Sequence, residues 1–325
     1  MLLLTERDVR QLLSMDDLIA AMHDALAEFS SRRVQQPLRT VLDVGAHHAF
    51  FGVMPAYIPG AGALGTKLVT VFGTNAALGL PSHLATIVLL DDSTGELLSV
   101  MDGRFITEAR TAAVSAVSAR LLARSDAGVL AVIGSGVQAR SHVRAVSRVR
   151  RLREVRIWSP SPEHRNAFAT EMQSETDAPI HVAPSARDAV RGAALIVLAT
   201  ASREAVVASD WIDDGAHIMA VGACRPDQRE MDAALVARTK VFVDSRTGAL
   251  AEAGDIVLAI HEGAFTADRI VAEIGEVAAG TAAGRSAAAD VTLFKSLGMA
   301  VEDVAAAHLA YRRATERGLG RGVPL

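Results

Sequence analysis

The chain has 325 residues, enough for two domains with full hydrophobic cores. Half of its residues are hydrophobic and 22% are charged, as in ordinary globular proteins, and the net charge of −4 indicates neither a nucleic-acid partner nor attraction to an anionic membrane surface. The single cysteine, Cys224, excludes an intramolecular disulfide framework, and the sequence lacks a signal peptide or an apolar stretch long enough to cross a bilayer, so we expect a cytoplasmic protein with no membrane partner.

The first third of the chain is predicted to mix helices and strands. Thr5 and Ser14 are each followed three positions later by an aspartate, the pattern of a helix start, and helix is predicted to continue to about residue 32. Strands and turns alternate over 39–106, which predicts an antiparallel α+β unit. An alanine-rich helix over 107–124 leads into the rest of the chain.

A strand followed by a glycine turn is the most informative stretch of the sequence. The apolar run 128–133 leads directly into a G-x-G-x-x-A pattern that begins at Gly134 and ends at Ala139. In this pattern Gly134 permits a tight turn, Gly136 lets the backbone approach a pyrophosphate, and Ala139 lets the next helix pack closely on the strand. Free N–H groups at the helix start then hold the phosphates. The predicted cofactor contacts here are Gly134, Ser135, Gly136, Val137 and Gln138.

Strands and helices alternate after this turn, as in a doubly wound parallel sheet. The predicted fold class is therefore α/β, a Rossmann NAD(P)-binding domain over 119–298 joined to an α+β domain over 1–118. The last helix, 301–317, is predicted to return to the first domain as part of 299–325. Six Rossmann strands are predicted, at 128–133, 154–158, 180–182, 195–199, 217–221 and 241–243.

Seven short motifs stand in order along the chain: 65–69, 81–83, 101–103, 107–113, 134–139, 221–227 and 294–299. Together they resemble those of the ornithine cyclodeaminase and mu-crystallin family, which includes several imine reductases, over nearly the whole chain. The resemblance implies a homodimer whose first domain forms the interface and carries most of the substrate site.

Three cations are candidates to hold the carboxylate of an imino acid substrate. Lys67 lies in a strand-like apolar run and Arg110 in an alanine-rich helix, where a cation pairs with an acid, reaches solvent or meets an anionic ligand. The resemblance implies that Lys67 and Arg110 bind the substrate carboxylate. Arg39 is a candidate for the same role, with a salt bridge or solvent exposure as its alternative. His83, in a family motif, is either a pocket residue or a structural histidine, and the histidine spacing indicates no metal site.

The residue at position 224 separates two possible reactions. Cyclodeaminases that resemble this chain carry an aspartate there, taken as the base that acts on the substrate amine, whereas mu-crystallins carry a serine. A thiol with a pKa of about 8.5 is a poor base at neutral pH, but a cyclic ketimine can arrive already protonated and needs no strong base. Cys224 therefore favours a reductase. Asp227 is predicted either to act on the substrate, as an acid or by orienting its amine, or to cap a following helix.

The segment after the second Rossmann strand bears on cofactor choice. NAD-binding domains place an acidic residue there for the ribose hydroxyls, whereas this chain has Ser159 and Ser161, with Arg165 nearby to neutralise a 2′-phosphate. NADP(H) is therefore predicted to be preferred, with NAD(H) possible. The remaining predicted cofactor contacts are Thr200 and Val221, together with Leu297 and Gly298, which the resemblance implies border the nicotinamide.

These features predict an NAD(P)H-dependent reductase of cyclic ketimines. The predicted substrates are Δ1-pyrroline-2-carboxylate and its six-membered homologue, reduced to L-proline and L-pipecolate. The alternatives are ornithine cyclodeamination with NAD+ as internal hydride carrier, alanine or other amino-acid dehydrogenation, and ligand binding without catalysis, as mu-crystallins bind thyroid hormone.

Overall fold

The structure, a computed structural model, describes residues 1–324 without the side chain of Ala76, and it divides into two compact units. Unit 1 consists of 1–110 and 299–325, and unit 2 consists of 111–298. The functional domains predicted from the sequence, with their boundary at residue 118, stay predictions.

Fifteen strands and eleven α-helices are described, numbered here in chain order. The strands are β1 (Leu2–Leu4), β2 (Thr40–Val44), β3 (Ala49–Ile58), β4 (Ala63–Phe72), β5 (His83–Leu90), β6 (Leu97–Asp102), β7 (Val129–Ile133), β8 (Glu154–Trp158), β9 (Ile180–Val182), β10 (Leu195–Leu198), β11 (His217–Ala220), β12 (Lys240–Val243), β13 (Ile270–Glu273), β14 (Thr292–Lys295) and β15 (Arg321–Gly322). The helices are α1 (Glu6–Leu12), α2 (Met15–Ser30), α3 (Arg104–Leu122), α4 (Val137–Val149), α5 (Pro162–Met172), α6 (Ala186–Val190), α7 (Ala233–Arg238), α8 (Arg246–Glu252), α9 (Gly254–His261), α10 (Ile274–Ala278) and α11 (Ala300–Arg317).

Unit 1 is built on a seven-stranded sheet in the order β15-β1-β6-β5-β4-β3-β2. Its pairs are antiparallel except for β1 with β6, which run parallel. Residues of β3 and β4 alternate between buried and half-buried, as expected for a sheet with one covered face, and α11 packs against α2 and these strands. The predicted helix starts are confirmed, because the Thr5 and Ser14 side chains accept hydrogen bonds from the backbone N–H groups of Asp8 and Asp17.

Unit 2 is built on an eight-stranded parallel sheet in the order β13-β12-β14-β11-β10-β7-β8-β9. Alternate residues of its central strands enter two separate buried clusters, so both faces are covered, as in a doubly wound fold. The α/β prediction is confirmed, but the count of six strands was wrong because β13 and β14 were missed. β14 lies between β11 and β12, and it ends in a buried lysine, Lys295, that makes the segment a poor strand candidate by composition.

The carboxyl ends of β7, β10, β11 and β14 lie at one edge of this parallel sheet. In open α/β sheets ligands bind at this edge. The chain segments that follow these four strands contain most of the predicted cofactor contacts, from Gly134 to Gly298. Within residues 1–324, no helix combines the length and the apolar character needed to cross a membrane.

Candidate functional site

The glycine turn between β7 and α4 forms a cradle that fits a pyrophosphate. Gly134 has φ +111°, and a Cβ there would lie 2.3 Å from the carbonyl oxygen of Ala199, so only glycine suits the position. A Cβ on Gly136 would meet no atom within 4 Å, which leaves open space in front of α4. Gly136 is the N-cap of α4 and provides no side-chain acceptor for the first helical N–H groups. These donors and the helix dipole suit a phosphate anion.

The residues predicted to choose the cofactor lie together after β8. The Ser135 hydroxyl donates to the Ser159 hydroxyl at 3.0 Å, and Arg165 Nη1 donates to the Ser159 carbonyl at 3.2 Å. Ser161 is the N-cap of α5 and accepts from the His164 backbone N–H at 3.2 Å. The arrangement combines two hydroxyls, a guanidinium and a helix start, with no carboxylate directly after the strand.

The other predicted cofactor contacts follow the neighbouring strands. A Cβ at Gly134 would lie 3.5 Å from Thr200 Cγ2, which places Thr200 against the glycine turn. Val221 N donates to the Leu198 carbonyl at 2.9 Å. The backbone N–H groups of Leu297 and Gly298 both donate to Asp244 Oδ2, at 2.6 and 2.8 Å. The sequence analysis missed Asp244, because an acid that accepts mainly from backbone N–H groups has no distinguishing sequence pattern.

In unit 1, two of the three candidate carboxylate-binding cations, Lys67 and Arg110, contact the same buried acid, Asp303. The side chains of Lys67 and Arg110 are 3% and 4% exposed. Lys67 Nζ lies 2.6 Å from Asp303 Oδ2, and Arg110 Nε donates to Asp303 Oδ1 at 2.9 Å. Arg110 Nη1 donates in addition to Glu302 Oε2. The strand alternation of β4 turns Lys67 to the covered face of the sheet, while Asp303 lies in the first turn of α11.

Burial and neighbouring charges shift the pKa values of Lys67 and His83. Burial lowers the pKa of Lys67 to about 8; Asp303 opposes this shift, whereas Arg110 and Arg39 add to it. Burial also lowers the pKa of His83 to about 4, with Lys67 and Arg110 contributing. Lys67 therefore interacts electrostatically with Arg39, His83 and Arg110. At neutral pH, Lys67 is mostly charged and His83 is neutral.

Two acids of the cluster were not predicted. Burial opposes ionisation of Asp303, but Arg110 and Lys67 outweigh it, so the pKa of Asp303 is lowered. Glu302 and Asp303 are both fully buried. The available signal was their position, side by side in an otherwise apolar stretch of the last helix and directly after the motif 294–299. Buried acids in such company require cationic partners.

Cys224 and Asp227 lie in the segment after β11. Cys224 is half-buried, and its thiol donates to the Val221 carbonyl at 3.2 Å. The Asp227 side chain is 55% exposed and lies 3.7 Å from Arg203 Nη1. The reading of Asp227 as a helix cap was wrong, because α7 begins at Ala233 and Asp232 is its cap. Over the described part of the chain, no group of three or more histidine, cysteine, aspartate or glutamate side chains is placed to hold a metal ion.

Comparisons with known proteins find relatives over nearly the whole chain. The model of the ornithine cyclodeaminase/mu-crystallin family matches residues 1–318. The mouse ketimine reductase mu-crystallin is 44% identical over 297 residues, covering 90% of this chain and 91% of the mouse protein. The Thermococcus litoralis Δ1-pyrroline-2-carboxylate reductase, solved with NADH and L-proline, is 40% identical, with a TM-score of 0.97 over 99% of this chain and 100% of that one. An archaeal alanine dehydrogenase dimer with bound NAD is 31% identical, with a TM-score of 0.94 over 99% and 98% of the two chains.

Proposed function

Because this chain belongs to the ornithine cyclodeaminase/mu-crystallin family, we propose that it reduces the C=N bond of cyclic 2-imino acids with NAD(P)H. The proposed substrates are Δ1-pyrroline-2-carboxylate and Δ1-piperideine-2-carboxylate, and the products are L-proline and L-pipecolate. The first of these pairs matches the L-proline bound to the Thermococcus litoralis reductase.

The observation that carries the proposal is the buried pair of cations, Lys67 and Arg110. Two cations with almost no solvent contact can bind a carboxylate with little competition from water. Asp303 holds both side chains in place before substrate arrives, which is the preorganisation that a substrate-positioning site requires. Arg39, which interacts electrostatically with Lys67, is the third proposed contact to the carboxylate.

The glycine turn and the loop after β8 are proposed to hold the cofactor. The residues of 134–138 would bind the pyrophosphate, and Thr200, Val221, Leu297 and Gly298 would flank the nicotinamide. When bound, the cofactor supplies the hydride that the imine carbon accepts. Ser159, Ser161 and Arg165 suit a 2′-phosphate, so NADPH is the proposed preferred donor. NADH remains the alternative, in keeping with the NADH bound by the Thermococcus litoralis protein.

The protonation states of the imine substrate and of the residues near it favour reduction over deamination. In the proposed reaction the imine nitrogen is already protonated, so hydride addition to its carbon yields a neutral secondary amine without removal of a proton by the protein. Cys224 and its neighbours therefore need not supply a base, and neutral His83 adds no further positive charge beside the iminium. Cyclodeamination of ornithine, in contrast, requires a base for the substrate amine, and position 224 lacks the carboxylate.

A second candidate function is amino-acid dehydrogenation. The archaeal alanine dehydrogenase has nearly the same fold at 31% identity. Its reductive direction uses a linear imino acid, which presents the same carboxylate and imine groups as a cyclic one. The cyclic-imine reductase and the amino-acid dehydrogenase therefore differ in the size and shape of the substrate side chain that they accept. An assay with a cyclic and a linear imino acid decides between them.

The proposed setting is the cytoplasm, where NAD(P)H is the common reductant, with a role in proline metabolism. A homodimer is the proposed assembly, as in the alanine dehydrogenase structure. Unit 1 would supply the interface, because apolar residues of its edge strand β2 and the segment before it are exposed.

The first experiment follows NADPH and NADH oxidation at 340 nm with Δ1-pyrroline-2-carboxylate and with the imine of pyruvate formed in ammonia. Ammonia release from L-ornithine with NAD+ is measured alongside. We expect rapid oxidation with the cyclic imine and no ornithine turnover. Lys67→Ala and Arg110→Ala should each lower kcat/KM by orders of magnitude while the variants still bind NADPH.

Three results would contradict the proposal. Wild-type rates in both variants would remove the site assignment, and ornithine turnover would establish a cyclodeaminase. Fluorescence changes on NADPH binding with no turnover of any imine would indicate a ligand-binding protein without catalysis.

A further inference from the structure

The buried carboxylate of Glu230 connects the segments that follow two neighbouring strands of unit 2. Glu230 Oε1 accepts from Thr200 N at 2.6 Å, directly after β10 and Ala199. Glu230 Oε2 accepts from Gly222 N at 2.7 Å and from Ala223 N at 3.3 Å, after β11. The side chain is fully buried. One carboxylate thus fixes the backbone at the edge of the sheet where ligands bind in open α/β folds.

Gly222 allows this close approach. A Cβ at that position would lie 2.4 Å from Glu230 Oε1 and 2.1 Å from the Thr200 carbonyl oxygen. Any side chain would therefore separate the two segments. The hydrogen bonds of Glu230 to this segment therefore depend on glycine at position 222.

Asp255 accepts a hydrogen bond from the backbone of Glu230, and Lys295 pairs with Asp255. Asp255, in the first turn of α9, accepts from Glu230 N at 2.7 Å and from Met231 N at 3.3 Å. Lys295, the last residue of β14, places its Nζ 3.0 Å from Asp255 Oδ2, and both side chains are 0% exposed. Lys295 also interacts electrostatically with Cys224 and Glu230. Burial opposes the charge on Lys295, but its interactions with Asp255, Cys224 and Glu230 outweigh burial and raise its pKa.

Burial and a neighbouring cation shift the pKa of Glu230 in opposite directions. Burial raises the pKa of Glu230 to about 7, with Asp255 adding to the shift and Lys295 opposing it. Both protonation states are therefore populated at neutral pH. A carboxylate accepts hydrogen bonds strongly on both oxygens, whereas in the acid form one oxygen becomes a hydroxyl whose proton must be accommodated among N–H donors. Protonation thus weakens the hold on one of the two segments.

We propose that Glu230 is a positioning residue that holds the segments after β10 and β11 in the arrangement that binds the nicotinamide cofactor, with Lys295 and Asp255 controlling its charge. The inference rests on the proposed function in taking NAD(P)H as the ligand. Cofactor affinity then falls as the pH is lowered through neutrality, because the charged form of Glu230 is lost.

The experiment measures the Kd of NADH and of NADPH by fluorescence titration between pH 5.5 and 9, without substrate. NADH is the more informative probe, because it lacks the 2′-phosphate that itself titrates at about pH 6. For the wild-type protein we expect affinity for NADH to drop by about tenfold below neutral pH, as for the loss of one charge-assisted hydrogen bond. Glu230→Gln, of the same size, should bind weakly at every pH and lose this dependence.

Two other variants locate the effect. Lys295→Met removes the cation that favours ionised Glu230, so the drop in affinity should move to higher pH. Glu273→Gln is the matched control, because Glu273 is also buried in unit 2 and accepts from a backbone N–H, that of Arg246 at 3.0 Å. It should keep the wild-type pH profile.

The outcomes separate this inference from the proposed function. A wild-type NADH affinity that is constant over the pH range overturns the role of Glu230, whether or not any variant folds. The same conclusion follows if folded Glu230→Gln binds as the wild type does, or if Glu273→Gln loses the profile as well. A wild-type protein that binds neither nucleotide at any pH overturns the proposed function, and this inference with it.

Discussion

Lys67 and Asp303 show how a single buried contact sets the chemistry of the candidate substrate site. A lysine with almost no solvent contact loses much of the hydration that favours its charged form, which is why its pKa falls to about 8. Asp303, 2.6 Å away, keeps the pKa from falling further. The charge needed to bind a carboxylate at neutral pH therefore depends on an acid of α11.

Asp303→Asn should shift the alkaline limb of the pH profile of kcat/KM. Without the carboxylate, the pKa of Lys67 falls below about 8, so the charged lysine and the activity are lost at lower pH than in the wild type. Loss of one partner of a buried ion pair should also lower the free energy of unfolding by about 3–5 kcal/mol. The measurements are pH–rate profiles and urea unfolding.

Asp17→Asn is the matched control for this variant. Asp17 pairs with Arg313 in the same unit, at 2.7 Å, but its side chain is 37% exposed. It should leave the alkaline limb where it is. An unchanged limb in folded Asp303→Asn would show that Lys67 does not titrate in the active range.

Cys224→Asp tests whether position 224 chooses the reaction. An aspartate there would restore the carboxylate that cyclodeaminases resembling this chain carry, and it should raise ammonia release from L-ornithine in the presence of NAD+. Cys224→Asn, with an uncharged side chain of similar size, is the control and should not. Equal ornithine turnover in both variants and the wild type would show that another residue controls the choice.

At the residue level, the sequence marks most clearly those candidates whose side chains conflict with their surroundings. Lys67 and Arg110 stand out in apolar segments, and the structure places them together. Their acids lie about 190 residues further along the chain. A contact between residues so distant in sequence depends on how the elements pack, which the spacing of residues in one sequence does not encode.

At the scale of elements, the junction of β7 and α4 contains two glycines with different physical roles. Gly134 is required by the fold, since its φ is +111° and a Cβ would meet the Ala199 carbonyl at 2.3 Å. Gly136 has φ −82° and open space around its Cβ position, so the empty protein tolerates a side chain there. Glycine is needed at position 136 only when a pyrophosphate occupies the space that a side chain would fill.

Gly136→Ala and Gly134→Ala should therefore separate binding from stability. Gly136→Ala should keep the wild-type melting temperature within about 2 °C, since exposed substitutions change stability little. Its affinity for NADPH should nevertheless fall at least about tenfold. Gly134→Ala should lower both the melting temperature and the affinity. Wild-type NADPH affinity in Gly136→Ala would contradict the placement of the pyrophosphate on this turn.

In unit 2, β7 and β10 were predictable because each is a continuous apolar run. The strands Glu154–Trp158 and Ile180–Val182 have the predicted bounds. β14 was missed because it ends in Lys295, whose buried charge is compensated by Asp255 on α9. A tertiary ion pair, rather than local propensity, permits this strand.

At the scale of the whole molecule, the edge strand β2 is unusual for a protein surface. β2 is the last strand of its sheet, and Val41 and Leu42 are 51% and 56% exposed, with Leu38 just before it at 54%. An edge strand with apolar side chains invites pairing with another chain unless it is covered. A two-fold interface formed by this region would cover these residues in both copies.

The homodimer proposal predicts that the wild-type protein sediments at twice the mass of one chain at micromolar concentration. The double variant Val41→Lys, Leu42→Glu places charges on both faces of β2, so it should sediment as a single chain because burying unpaired charges is costly. Val271→Lys, at a 44% exposed apolar position of unit 2, is the control and should remain dimeric. A monomeric wild type would contradict the homodimer. A β2 double variant that is folded and still dimeric would place the interface elsewhere on the molecule.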